Sequence, residues 1–158
     1  MKFKVVLRIC IATVLTMAVL ATMVVTSVAA TYSKTDSVEF KTAQTRIDAG
    51  TYTTTDTYYS GLRYLCIHNY VEYEYGVFAT PYNYTINGYC TFTYVDDTNE
   101  GAGDYTKIAN RSGYVYDKTV RVPSAKTVKK VEVQHYFNYV NSVSNCSTEA
   151  MHTTFIIE

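Results

Sequence analysis

Between residues 62 and 75 the chain reads LRYLCIHNYVEYEY, and its side chains sort by period two. Leu65, Ile67, Asn69, Val71, Tyr73 and Tyr75 fall on one face of a strand, and Tyr64, Cys66, His68, Tyr70, Glu72 and Glu74 on the other. Only the second face turns acidic at its end, so the pattern predicts a strand covered on both sides near Cys66 that emerges into solvent near Glu74. Residues 128–140 alternate more regularly still, with Val131, Val133, His135, Phe137 and Tyr139 opposite Lys130, Glu132, Gln134 and Asn138. One of those two faces must be core. Residues 89–95 place Cys90, Phe92 and Tyr94 together, and further strands are predicted over 38–47, 114–122 and 149–157. Residues 51–60, TYTTTDTYYS, are β-prone but lack aliphatic side chains, which suits an edge strand or a Thr-rich loop. Turn signals separate these runs at Asp48-Ala49-Gly50, Asn87-Gly88 and Pro123-Ser124, and residues 96–107 read as an exposed hairpin loop. No window carries a sustained helical stripe. About seven strands spaced by turns predict an all-β fold, a single antiparallel β-sandwich or barrel-like domain.

Composition agrees with that pattern. Seventeen tyrosines, no tryptophan and only two prolines in 158 residues favour pleated, half-buried strands over helices. The N-terminus changes the picture of where the domain begins. MKFKVVLR is basic, residues 9–25 carry no charge, and Ser27, Ala29 and Ala30 supply the small residues of a cleavage site. Residues 1–30 therefore read as a secretory signal peptide, cut after Ala29 or Ala30, and residues 31–158 as one secreted, extracellular domain. Membrane attachment enters only if that segment is retained as an anchor. Losing Lys2, Lys4 and Arg8 tips a balance of 14 basic and 14 acidic side chains to a mild acidic excess. That excess argues against nucleic acid as a partner, since nucleic acid requires a concentrated basic footprint.

In an oxidising compartment, two of Cys66, Cys90 and Cys146 are expected to pair. Cys66 with Cys90 is the favoured disulfide, because both lie in strand-like runs that would be neighbours in a sheet. Cys146, among Asn, Ser and Thr, is expected in a turn, free or bridging two chains.

Candidate chemistry is sparse. Glu72 and Glu74 project from one strand face about 6.5–7 Å apart, and paired carboxylates can serve as acid and base on a sugar. Glycosidase carboxylates come from different elements in a deep cleft, so a solvated strand face is the favoured reading. His68, His135 and His152 lie in separate predicted strands with no local ligand spacing, so no metal site and no cofactor is assigned. A nucleophilic Cys146 with one of these histidines lacks any supporting context. The acidic run from Asp96 to Asp104 starts like a calcium loop but has Lys107 where a bidentate Glu is needed, and reads as a turn. Asn83, Asn110 and Asn145 head glycosylation sequons.

The tyrosines remain. An aromatic ring with a polar tip stacks on a sugar or anchors a protein at low conformational cost. The expected function is accordingly a non-enzymatic secreted β-domain that binds an extracellular glycan or protein through a tyrosine-rich surface. Its expected binding residues are Tyr70, Tyr73, Tyr75, Glu72 and Glu74. The alternatives are a small secreted toxin or bacteriocin-like effector, and a structural subunit that assembles by strand addition.

Overall fold

The structure is a computed structural model that describes residues 29–41, 49–74, 84–140 and 146–157. The expected signal peptide up to residue 28 lies outside the described residues, as does Tyr75. Eight strands follow one another: β1 (Thr31–Lys41), β2 (Ala49–Tyr59), β3 (Tyr64–Glu74), β4 (Tyr84–Tyr94), β5 (Asn99–Ala109), β6 (Tyr114–Arg121), β7 (Val128–Val140) and β8 (Cys146–Ile156). They form two four-stranded antiparallel sheets, β1-β2-β3-β6 and β5-β4-β7-β8, packed face to face as a β-sandwich. No helix among the described residues is long and apolar enough to cross a membrane.

The predicted alternation in β3, β4 and β7 sets the core. Leu65, Ile67, Val71 and Tyr73 from β3 meet Cys90, Phe92 and Tyr94 from β4 and Val131, Val133, Phe137 and Tyr139 from β7, and all are buried. Aromatic rings carry the packing. Tyr52 stacks on Phe137 at 4.9 Å, Phe40 lies 4.7 Å from Phe137, and Tyr84 meets the edges of Phe40 and Tyr73 at 5.0 and 4.9 Å. Aromatic pairs at these spacings contribute about 0.5–1.5 kcal/mol beyond the area they bury.

Five expectations are corrected, the first being the turn at Asp48-Ala49-Gly50, of which Ala49 and Gly50 instead open β2. Residues 51–60 are neither an edge nor a loop: β2 is central, flanked by β1 and β3, with Tyr52 and Tyr58 supplying the apolar contacts that aliphatic residues normally would. Asn87-Gly88 is not a turn but lies within β4. The expected loop at 96–107 is a tight turn at Tyr94–Thr98 followed by the edge strand β5, which accounts for eight strands rather than seven. Cys146 is not in a turn either, since its backbone opens β8 opposite Val140.

Two glycines explain how β5 joins the sandwich. The β4–β5 register pairs Gly88 with Tyr105 but Cys90 with Ala102, so Tyr89 faces both Gly103 and Asp104 in a β-bulge. Gly103 has φ +76°, which a glycine adopts without strain, and a Cβ there would lie 2.5 Å from Val120 Cγ2. The extra residue turns Tyr105 inward. At Gly88 a Cβ would come within 2.8 Å of the Tyr105 hydroxyl, so the missing side chain is the space that hydroxyl crosses.

The two open sides of the sandwich are spanned by lysines. Lys34 of β1 donates to the carbonyl of His152 in β8 at 3.1 Å, and Lys118 of β6 to the carbonyl of Asp104 in β5 at 2.7 Å. Charged side chains placed there blunt the edges against pairing with another chain.

Candidate functional site

The register of β1, β2 and β3 brings separate parts of the chain into short rows across the end of the first sheet. Glu39 pairs with Thr51 and Thr51 with Glu72; Phe40 pairs with Gly50 and Gly50 with Tyr73; Lys41 pairs with Ala49 and Ala49 with Glu74. These nine residues line a cavity of about 620 Å³. Gly50 is essential to its shape, because a Cβ there would meet the Glu72 carbonyl at 2.3 Å and both Phe40 and Tyr73 at 2.6 Å. The inward row supplies an apolar floor from Phe40 and Tyr73, which are buried. The outward row supplies three exposed carboxylates, Glu39, Glu72 and Glu74, against one lysine, Lys41. Such a site can accept hydrogen bonds from several donors at once through its carboxylates.

The structure thus brings Glu72, Tyr73 and Glu74 of the expected binding residues to one cavity. Tyr70 stands beside it on the same outward face as Glu72. Its hydroxyl is held above the ordinary phenol range, first by partial desolvation and then by the negative charge of Glu72, to which it is hydrogen-bonded. Tyr73 is not a surface residue as expected. It shares the parity of Leu65 and Ile67, so its ring turns into the core, where it meets Tyr84 edge-on at 4.9 Å. Glu39, Phe40, Lys41, Gly50 and Thr51 were not anticipated, because only strand register unites them with β3.

The expected disulfide is absent. Cys66 and Cys90 are both free thiols, in different sheets. Cys66 points outward on β3 toward Thr119, whereas Cys90 points into the core and donates to the carbonyl of Ala102 at 3.1 Å. Burial, with Asp56 and Asp104 adding to it, pushes the Cys90 thiol up to about 12, so it is protonated and unreactive at neutral pH.

The histidines are spread apart. His68 pairs with Asp117 on the outer face of the first sheet at 2.6 Å, His152 is exposed on β8, and His135 is fully buried. Around His135 runs a polar network that crosses the core from sheet to sheet. His135 Nε2 lies 2.8 Å from Asp56 Oδ2, with neither side chain exposed to solvent. His135 Nδ1 lies 2.9 Å from the Tyr105 hydroxyl. Tyr105 and Tyr52 both donate to Asn69 Oδ1, at 3.0 and 2.7 Å, and Asn69 Nδ2 donates to the Tyr116 carbonyl. Counting protons fixes the direction of each bond. Since the single Tyr105 proton goes to Asn69, its oxygen accepts from His135 Nδ1–H, and the remaining proton lies between Nε2 and Asp56. Burial raises both phenols well above their usual range, so they act as neutral donors. Asp56 was not anticipated; the signal that could have found it is the parity it shares with Tyr52 and Tyr58, since a buried carboxylate calls for a partner such as His135. Comparison of the chain with protein-family models, with curated proteins and with solved structures finds no match in any of the three.

Proposed function

We propose that the chain is a non-enzymatic, secreted β-sandwich that binds an extracellular glycan in the cavity at the end of β1, β2 and β3. The observation that carries this reading is the convergence of the exposed Glu39, Glu72 and Glu74 on one cavity of about 620 Å³. Ligand sites of this size combine an apolar surface with a few convergent polar groups. Sugar hydroxyls donate well to carboxylates, and the half-buried, outward ring of Tyr70 offers aromatic carbon to the C–H face of a sugar. Tyr70 extends the same surface along β3. Strand addition has less support, because both open sides of the sandwich carry a lysine clamp.

A glycan array followed by calorimetry tests the reading. The wild-type protein is expected to retain at least one glycan class, and Glu72→Gln/Glu74→Gln to weaken it by tenfold or more. That size follows from about 1.5–3 kcal/mol for each hydrogen bond to a charged acceptor. An array without any ligand, or a double variant that binds as well as wild type, would overturn it.

A further inference from the structure

The inward row of β2 holds two polar atoms that the network leaves out. Thr54 Oγ1 and Asp56 Oδ1 are buried and have no hydrogen-bond partner among the described residues, although the other oxygen of Asp56 is held by His135. Both residues are wholly removed from solvent. They lie two positions apart on one strand, so both point into the space between the sheets from Cα atoms about 6.5–7 Å apart. Buried polar atoms in folded proteins are almost always paired, with protein or with ordered water.

We propose that a single water molecule is bound inside the core between Thr54 and Asp56, accepting a hydrogen bond from the Thr54 hydroxyl and donating one to Asp56 Oδ1. The strand spacing suits it, because a water about 2.8 Å from each oxygen spans the gap between two side chains of this length. Water suits this place, since two buried polar oxygens without partners are what ordered internal water satisfies, whereas dry voids are lined by apolar atoms. The chemistry also disfavours a metal ion. Hard cations take six or more oxygens, and no group of three His, Cys, Asp or Glu residues converges among the described residues. The water turns the network into a continuous chain from Thr54 through Asp56, His135, Tyr105 and Asn69 to Tyr52, and makes it a structural component independent of the glycan cavity.

The test is a crystal structure at about 1.5 Å or better of the wild type and of Thr54→Val, grown with rubidium as the only monovalent cation, paired with water-to-methyl nuclear Overhauser measurements in solution. In the wild type, a single density peak about 2.7–3.1 Å from both oxygens, without rubidium anomalous signal, is expected. A long-lived water contact to the Thr54 methyl is expected with it. The near-isosteric Thr54→Val variant is expected to fold and to lose both signals. An anomalous peak would replace the water with a cation, and absence of density in the wild type or its persistence in Thr54→Val would overturn the proposal.

Discussion

Replacing His135 by Leu isolates what the polar core contributes. The substitution keeps volume and apolar contact on β7 but strips Asp56 of the group facing its Oδ2, while Tyr105 keeps its bond to Asn69. Removing one partner of a buried pair leaves an uncompensated carboxylate and destabilises by about 3–5 kcal/mol. For a domain of this size that is a fall in Tm of roughly 10–20 °C. The companion variant Asp56→Leu/His135→Leu removes both polar groups, and an apolar pair of similar volume is often as stable as the ion pair it replaces. Its stability should return to within about 2 kcal/mol of wild type, because the phenols and Asn69 still satisfy one another. Urea unfolding followed by far-ultraviolet circular dichroism measures all four corners of the cycle, with Asp56→Leu as the fourth. A His135→Leu loss below about 1 kcal/mol, or a double variant no more stable than the single, would refute the claim that these two residues act as one buried unit.

Further outcomes follow from the same geometry. Gly103→Ala should lose about 2–4 kcal/mol, since the left-handed backbone penalty adds to a Cβ 2.5 Å from Val120; Gly113→Ala, with a similar φ and open space around it, should lose only about 1–2 kcal/mol, and equal losses would contradict the packing argument. Alkylation of the native protein should label Cys66 and spare Cys90 until unfolding, and Cys66→Ser should change stability by no more than about 0.5 kcal/mol; a Cys66–Cys90 bridged peptide in the mass spectrum would contradict this. Asp96 is held down at about 2 by hydrogen bonds from Lys126 and Thr98. A depressed carboxylate stabilises the fold above its ordinary 3.8 and loses that contribution as pH falls toward 2. Carboxyl-carbon NMR titration should therefore show the Asp96 midpoint rising in Lys126→Ala, and an unchanged midpoint would rule out the lysine as its cause.

How much of this was legible in the chain depended on whether a strand buries aliphatic residues. In β4 and β7 the period-two pattern of Val and Phe grouped the core face, His135 included, whereas in β3 both faces begin apolar and the pattern predicted cover on both sides near Cys66, of which only the Leu65 and Ile67 face is buried. In β2 the inward residues are Tyr52, Thr54, Asp56 and Tyr58, so a central strand looked like an edge. In β5 the sequence NEGAGDYTKIA buries only Tyr105 and Ala109, and its bulge breaks the alternation, so the strand looked like a loop. Asn87-Gly88 carried a strong local turn signal that was overridden by a tertiary need, the passage of the Tyr105 hydroxyl toward His135. Parity set Cys66 opposite Leu65 and Ile67 but Cys90 beside Phe92 and Tyr94, a signal against the expected disulfide that was not drawn on. What the chain did not reveal was that β3 and β4 belong to different sheets. The acidic end of β3 was visible in Glu72 and Glu74, but the cavity arises from pairing over three strands, which no local window contains.

The glycan reading is tested most directly by titrating an array-selected glycan into the isotope-labelled protein and following amide shifts. Perturbations are expected to concentrate at residues 39–41, 49–51 and 72–74, which line the cavity. Shifts confined instead to the outer face of the second sheet, where Tyr89 and Tyr136 both donate to Gln134, would contradict it.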